Sequence, residues 1–160
     1  MVEKGSEEKQ KNLLFRTIEY TRANKCFFMV VRAFIYSARF RLELKFLKPE
    51  RMKKHWGTEN EVSLVDEPGE QKEYVLKVAG VVLCVCNNTK WESKCLVRAL
   101  TAQKLLRKKR INSTLYLGVR QDESSGKMLA HAWIRWGRIV ITGGNENLNK
   151  FAVVSKFRSI

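Results

Sequence analysis

Two side chains of this sequence have the chemistry for nucleophilic attack on a carbonyl: the thiol of Cys95 and the imidazole of His131. The chain holds only four cysteines and two histidines, so few other catalytic pairs exist. Cys95 follows Trp91-Glu92-Ser93-Lys94, which reads as a helix opening with Ser93 as N-cap. Unpaired backbone N–H groups and the helix dipole favour an anion there, and Lys94 and Arg98 add positive charge. His131 lies in Leu129-Ala130-His131-Ala132-Trp133-Ile134, which reads as a strand. A thiolate–imidazolium pair needs both groups at one spot. The 36 residues from Cys95 to His131 let the chain finish a helix, lay one strand and return along a second. The plainer alternatives are a small buried hydrophobe and a hydrogen-bonded structural histidine.

The elements that must position this pair follow from the pattern around it. A chain of 160 residues that is 44% hydrophobic has material for one core. From Asn12 to about Leu47, Leu13, Leu14, Ile18, Cys26, Phe27, Val30, Val31, Phe34, Ile35, Ala38 and Leu42 recur at helical spacing, with Arg and Lys between them. Pro49 ends that region, and residues 48–69 read as a polar linker. Asp66-Glu67-Pro68 opens a helix that carries Tyr74, Val75, Val78, Val82 and Val85 and stops at Asn87-Asn88, although its β-branched residues leave a strand open. The Cys95 helix shows Leu96, Ala99, Leu100, Gln103 and Leu106 on one face and closes at Arg107-Lys108-Lys109-Arg110, cations at the negative end of its dipole. Strands are expected at Ser113–Gln121, Lys127–Trp136 and Arg138–Thr142, joined by a turn at residues 122–126 and a tight turn at Gly137. Helices followed by an antiparallel meander make an α+β fold.

Charge narrows the partners. Residues 1–60 hold 14 Lys/Arg against 7 Asp/Glu, residues 61–90 hold 3 against 5, and residues 91–160 hold 14 against 4. A net charge of +15 fits solvated basic faces, an acidic partner, nucleic acid or an anionic membrane face. No nucleic-acid motif accompanies it, so nucleic acid is not expected as a partner. A transmembrane span is not expected, since the longest apolar run is Cys26–Val31 and a span needs ~20 residues. The N-terminus has no secretory signal, and Cys26, Cys84, Cys86 and Cys95 are irregularly spaced, which points to free thiols in a reducing cytoplasm. Cys84-x-Cys86 has the wrong spacing for a zinc knuckle, so neither metal nor other cofactor is expected.

Several phrases are more specific than any spacing. Ser93-Lys94-Cys95-Leu96-Val97-Arg98-Ala99-Leu100, Gln103-Lys104-Leu105-Leu106-Arg107-Lys108-Lys109, Leu115-Tyr116-Leu117-Gly118-Val119 and Leu129-Ala130-His131-Ala132-Trp133-Ile134, in that order, resemble the leader peptidases of bacterial lasso-peptide biosynthesis. Gly143-Gly144 with Phe151-Ala152-Val153-Val154 is similar to that family's ending. The resemblance covers residues 70–160; the basic N-terminal part agrees only in character.

The resemblance implies a transglutaminase-like, papain-like cysteine protease core at residues 61–160 behind a basic helical region at 1–60. It implies Cys95 as nucleophile and His131 as base and then acid, cleaving the leader from a lasso-peptide precursor. The family often places an acid on the next strand to orient the histidine, and counting along the phrase puts that Asp at Gly143. His131 is expected to face Thr142 or Gly144, which leaves Asn145 as the nearest polar candidate for the third role and Glu146 as the second. The leader-binding module of such systems is strand-rich, whereas residues 1–60 read as helix. The chain therefore resembles the protease half of a split system, with a separate leader-recognition protein and an ATP-dependent macrolactam cyclase as partners, and an inner-membrane surface as a further contact. An idle transglutaminase-like binding or assembly protein is the rival expectation, and a basic nucleic-acid binder the third.

Overall fold

The computed structural model describes residues 26–53, 56–63, 69–144 and 146–159. Helices α1 (Phe27–Phe46), α2 (Pro49–Lys53), α3 (Gly69–Asn88) and α4 (Cys95–Arg107) combine with strands β1 (Thr58–Glu59), β2 (Ser113–Gln121), β3 (Met128–Trp136), β4 (Ile139–Thr142) and β5 (Ala152–Ser159). The strands form one antiparallel sheet in the order β1-β5-β2-β3-β4. The arrangement is α+β. The expected meander is present as β2-β3-β4, but β5 returns to pair with β2 and extends the sheet beyond it.

Helix α4 lies between the sheet and the other helices, touching β2, β3 and β4 on one side and α1 and α3 on the other. Burial on both sides explains why Val97, Thr101, Ala102 and Leu105 are buried along with the expected Ala99, Leu100, Gln103 and Leu106. In α3 the strand alternative fails for an energetic reason. Val75, Val78, Val81, Val82 and Val85 fall on one helical stripe and are all buried. Burying each is worth roughly 1.5–3 kcal/mol, against a helix-propensity penalty of at most ~0.7 kcal/mol. The helix ends where Asn88 donates from Nδ2 to the Cys84 carbonyl at 2.6 Å.

Two expectations are corrected. Helix α1 faces the core with Cys26, Ala33, Ser37 and Phe40, while Phe27, Val31, Phe34, Ile35 and Leu42 from the expected apolar stripe stand exposed. The helix is apolar almost all round, so periodicity selected its outer face. The expected linker is anchored at three points: Met52 and Trp56 are buried, the Trp56 carbonyl accepts from Gln103 Nε2 at 2.8 Å, and the Ser63 N–H donates to Thr114 Oγ1 at 2.9 Å. The expected elements at residues 1–25 and the helix start at Asp66-Glu67-Pro68 lie outside the described residues.

Candidate active site

Cys95 is the first residue of α4, in its first turn. The N-cap is Lys94, extended at φ −63° and ψ 169°, and no side chain caps the helix. Ser93 was expected to do so, but its hydroxyl lies 3.1 Å from Thr89 Oγ1 in the preceding loop. The uncapped N–H groups therefore open beside the thiol, where they can hold a developing oxyanion. Arg98, one turn into α4, fixes this end. Its Nε donates to the Ser93 carbonyl at 2.8 Å and its Nη2 to Asn87 Oδ1 at 3.0 Å, tying the end of α3 to the start of α4. The loop is also held to α1, with Trp91 edge-on to Phe34 at 4.9 Å and Glu92 3.6 Å from Arg41.

The neighbouring Cys86 makes a contrast. Burial pushes its thiol up, and the Ser93 hydroxyl and Arg98 charge only partly oppose that. It is a protonated core residue at neutral pH, whereas Cys95 is half-buried at a cavity wall.

His131 is 8% exposed and its ring packs in an aromatic cluster. Trp133 lies near-parallel at 5.9 Å and Phe151 tilted at 5.2 Å, with Tyr116 stacked on Trp133 at 5.5 Å. Residues two apart on a strand share a face, so the His131–Trp133 pairing was readable from Ala-His-Ala-Trp. Gly118, directly across β2 from His131, leaves room for this stack; a Cβ there would come within 2.9 Å of the Trp133 ring.

The group that orients the imidazole is a carbonyl. His131 Nε2 is 2.9 Å from Gly143 O, and a carbonyl only accepts, so Nε2 carries the proton and Nδ1 is left as the basic nitrogen. Glu146 Oε1 is 3.6 Å from Nδ1. The carboxylate thus stands near this nitrogen, beyond hydrogen-bond distance.

Gly143 has φ +82°, and a Cβ there would lie 2.7 Å from Trp133 Cβ, 2.8 Å from Ala132 O and 3.0 Å from His131 Nε2. Bringing the carbonyl onto the ring leaves no space for an aspartate side chain at this position. The expectation that His131 faces Thr142 or Gly144 also needs correction. The turn is Gly137-Arg138, but a bulge shifts the register so that Ile134 pairs with Thr142, and β4 ends there without a Cα partner for His131. Of the candidates for the third role, Glu146 is beside the ring and Asn145 lies outside the described residues. The Gly143 carbonyl was not anticipated, because a backbone acceptor has no signature in residue type.

Cys95 and His131 line one cavity of about 640 Å³ together with Arg98, Gly143 and Glu146. Its remaining wall is mostly apolar, from Ala79, Val82 and Leu83 of α3 and Val140 and Ile141 of β4. That size and lining suit a few residues of peptide chain. Among the described residues no cluster of His, Cys, Asp or Glu could hold a metal ion, and no helix is long and apolar enough to cross a membrane. A family model described as the transglutaminase-like superfamily matches residues 39–156, which takes in Cys95, His131 and all of the sheet but the last residues of β5. Comparison with curated proteins and with solved structures returned no match.

Proposed function

The chain belongs to the transglutaminase-like superfamily, and from that premise we propose that it is a cysteine peptidase that removes the leader from a lasso-peptide precursor. The observation that carries the reading is the shared cavity of Cys95, at an uncapped helix N-terminus, and His131, with its ring held by Gly143 O. His131 Nδ1 takes the thiol proton, and the Cys95 sulfur attacks the carbonyl of the scissile bond. The tetrahedral oxyanion gathers on the N–H groups at the start of α4. His131 then protonates the leaving amine, and water, deprotonated by the same nitrogen, releases the acyl group.

The choice of a lasso precursor within this chemistry rests on the run of phrases around Cys95, Leu115, His131 and Phe151. The N-terminal part, basic and helical over most of its described residues, supports dependence on a separate leader-recognition protein, with the freed core passing to an ATP-dependent macrolactam cyclase. An idle binding or assembly protein is the second reading. It is favoured by the lack of a carboxylate at Nε2 among the described residues and by the placement of Glu146 beside Nδ1, where it competes with Cys95 for the ring.

The test is leader release from precursor peptide in the presence of the recognition protein, with wild type, Cys95→Ala and His131→Ala compared. Loss of release in both variants with unchanged circular dichroism is expected. Equal release by wild type and Cys95→Ala defeats the peptidase reading, and no release by any of the three favours the idle protein.

A further inference from the structure

We propose that the outer face of α1 is a docking surface for an anionic phospholipid membrane, on which the protein lies without crossing it. Phe28, Val31, Ile35, Leu42 and Phe46 are exposed, the two end phenylalanines at 74% and 72%. Their spacing, with Ala38 between, sets them in a single line opposite the core line of Ala33, Ser37 and Phe40. The 20-residue helix makes that line about 30 Å long. A continuous apolar stripe of this length differs from the isolated apolar side chains normal on a surface.

Charge identifies the occupant. Exposed Arg32, Arg39 and Lys45 flank the stripe, and the helix's one acid, Glu43, is bound to Arg39. Near the start of the helix, Phe28 and Arg32 share a cavity of about 310 Å³ with Lys108, Lys109 and Tyr74. This cavity sets cations where a phosphate headgroup meets the end of the stripe. Cations beside an apolar face with phenylalanine at its ends are the make-up of a helix lying in the headgroup–acyl boundary. A second copy of the chain is disfavoured, since a two-fold contact would bring the Arg32, Arg39 and Lys45 of one copy near those of the other on molecules of charge +15. The Cys95 cavity takes no lining from α1, so a docked molecule keeps it open to peptide. The inference does not depend on the peptidase reading.

The experiment is co-sedimentation of the full chain with vesicles of phosphatidylcholine alone or with phosphatidylglycerol added, at physiological and at high salt. Wild type is expected to partition onto the phosphatidylglycerol vesicles and to be weakened by salt. Ile35→Glu/Leu42→Glu and the milder Ile35→Ser/Leu42→Ser should lose about tenfold or more in partitioning while melting and alkylating at Cys95 like wild type. Arg32→Glu/Lys45→Glu should lose binding as well. The proposal is overturned if wild type binds neither vesicle or both equally, or if the apolar variants bind like wild type. It is also overturned if those variants chiefly lower thermal stability, showing the stripe covered by the chain itself, or abolish a wild-type dimer.

Discussion

Substitution of Gly143 tests whether the imidazole is oriented by backbone. In Gly143→Ala the new Cβ meets Trp133 Cβ at 2.7 Å and Ala132 O at 2.8 Å, groups fixed within β3 that cannot swing aside. The φ of +82° adds a left-handed conformation costing a residue with a side chain about 1–2 kcal/mol, and overpacking against fixed neighbours costs about 1–3 kcal/mol. Relief of both requires the Gly143 carbonyl to withdraw from His131 Nε2. The expected destabilisation of roughly 2–5 kcal/mol lowers the melting temperature by roughly 4–20 °C for a domain of this size. The lost ring contact, about 1 kcal/mol, slows leader release about fivefold at a temperature where the variant is folded. Gly143→Asp is the sharper case, because it supplies the carboxylate that the resemblance asks for. It should be at least as damaging as Gly143→Ala in both calorimetry and leader release. A Gly143→Asp variant that melts like wild type and cleaves faster would refute the reasoning, since it would mean that the loop moves freely and the carbonyl contact is incidental.

Arg98→Ala removes two hydrogen bonds that join the ends of α3 and α4, and should cost about 1–3 kcal/mol in urea unfolding and slow Cys95 alkylation; Arg98→Lys, which lacks the fork needed to reach both partners, should not restore either. Glu146→Gln should change leader release by less than about fivefold, because an ion pair to a carboxylate that is 45% exposed is weak; abolition of release would instead make Glu146 part of the chemistry. Iodoacetamide near neutral pH should label Cys95 well before Cys86, as read by peptide mass spectrometry. Burial raises both the Cys86 thiol and the Tyr74 phenol, so the folded chain keeps protons that the unfolded chain releases. Stability should accordingly be level below the ordinary thiol range and fall as pH rises through it, a trend that urea melts can follow and that Cys86→Ala should lessen.

The placing of Cys95 at a helix start and of His131 on a strand was legible because its signals are local: an apolar run opening at Cys95, and alternation around His131. Helix α3 was legible through its length and the spacing of its valines, even against their intrinsic preference. The orientation of α1 was not. Its core line includes Ser37, which is buried because its hydroxyl bonds back to the Phe34 carbonyl at 2.9 Å, whereas its outer line is as apolar as a core face. Strand β5 was also hidden, since Ser155, Lys156 and Arg158 interrupt its apolar residues and Ser159 is buried through a 3.1 Å contact with Ser113. The bulge in β4 and the Gly143 carbonyl depend on register, which no residue type in this stretch announces.

The position of α4 between the sheet and the other helices has a kinetic consequence. A helix buried on both sides opens only when the whole domain does, so the amides of its interior, beyond the open first turn, should be among the last to exchange with solvent. The thiol therefore sits at the open end of an element whose interior is the slowest-breathing part of the molecule. Under the proposed peptidase reading, adjustment to different peptides falls to the far wall of the cavity, and heat inactivation should keep pace with global unfolding instead of preceding it.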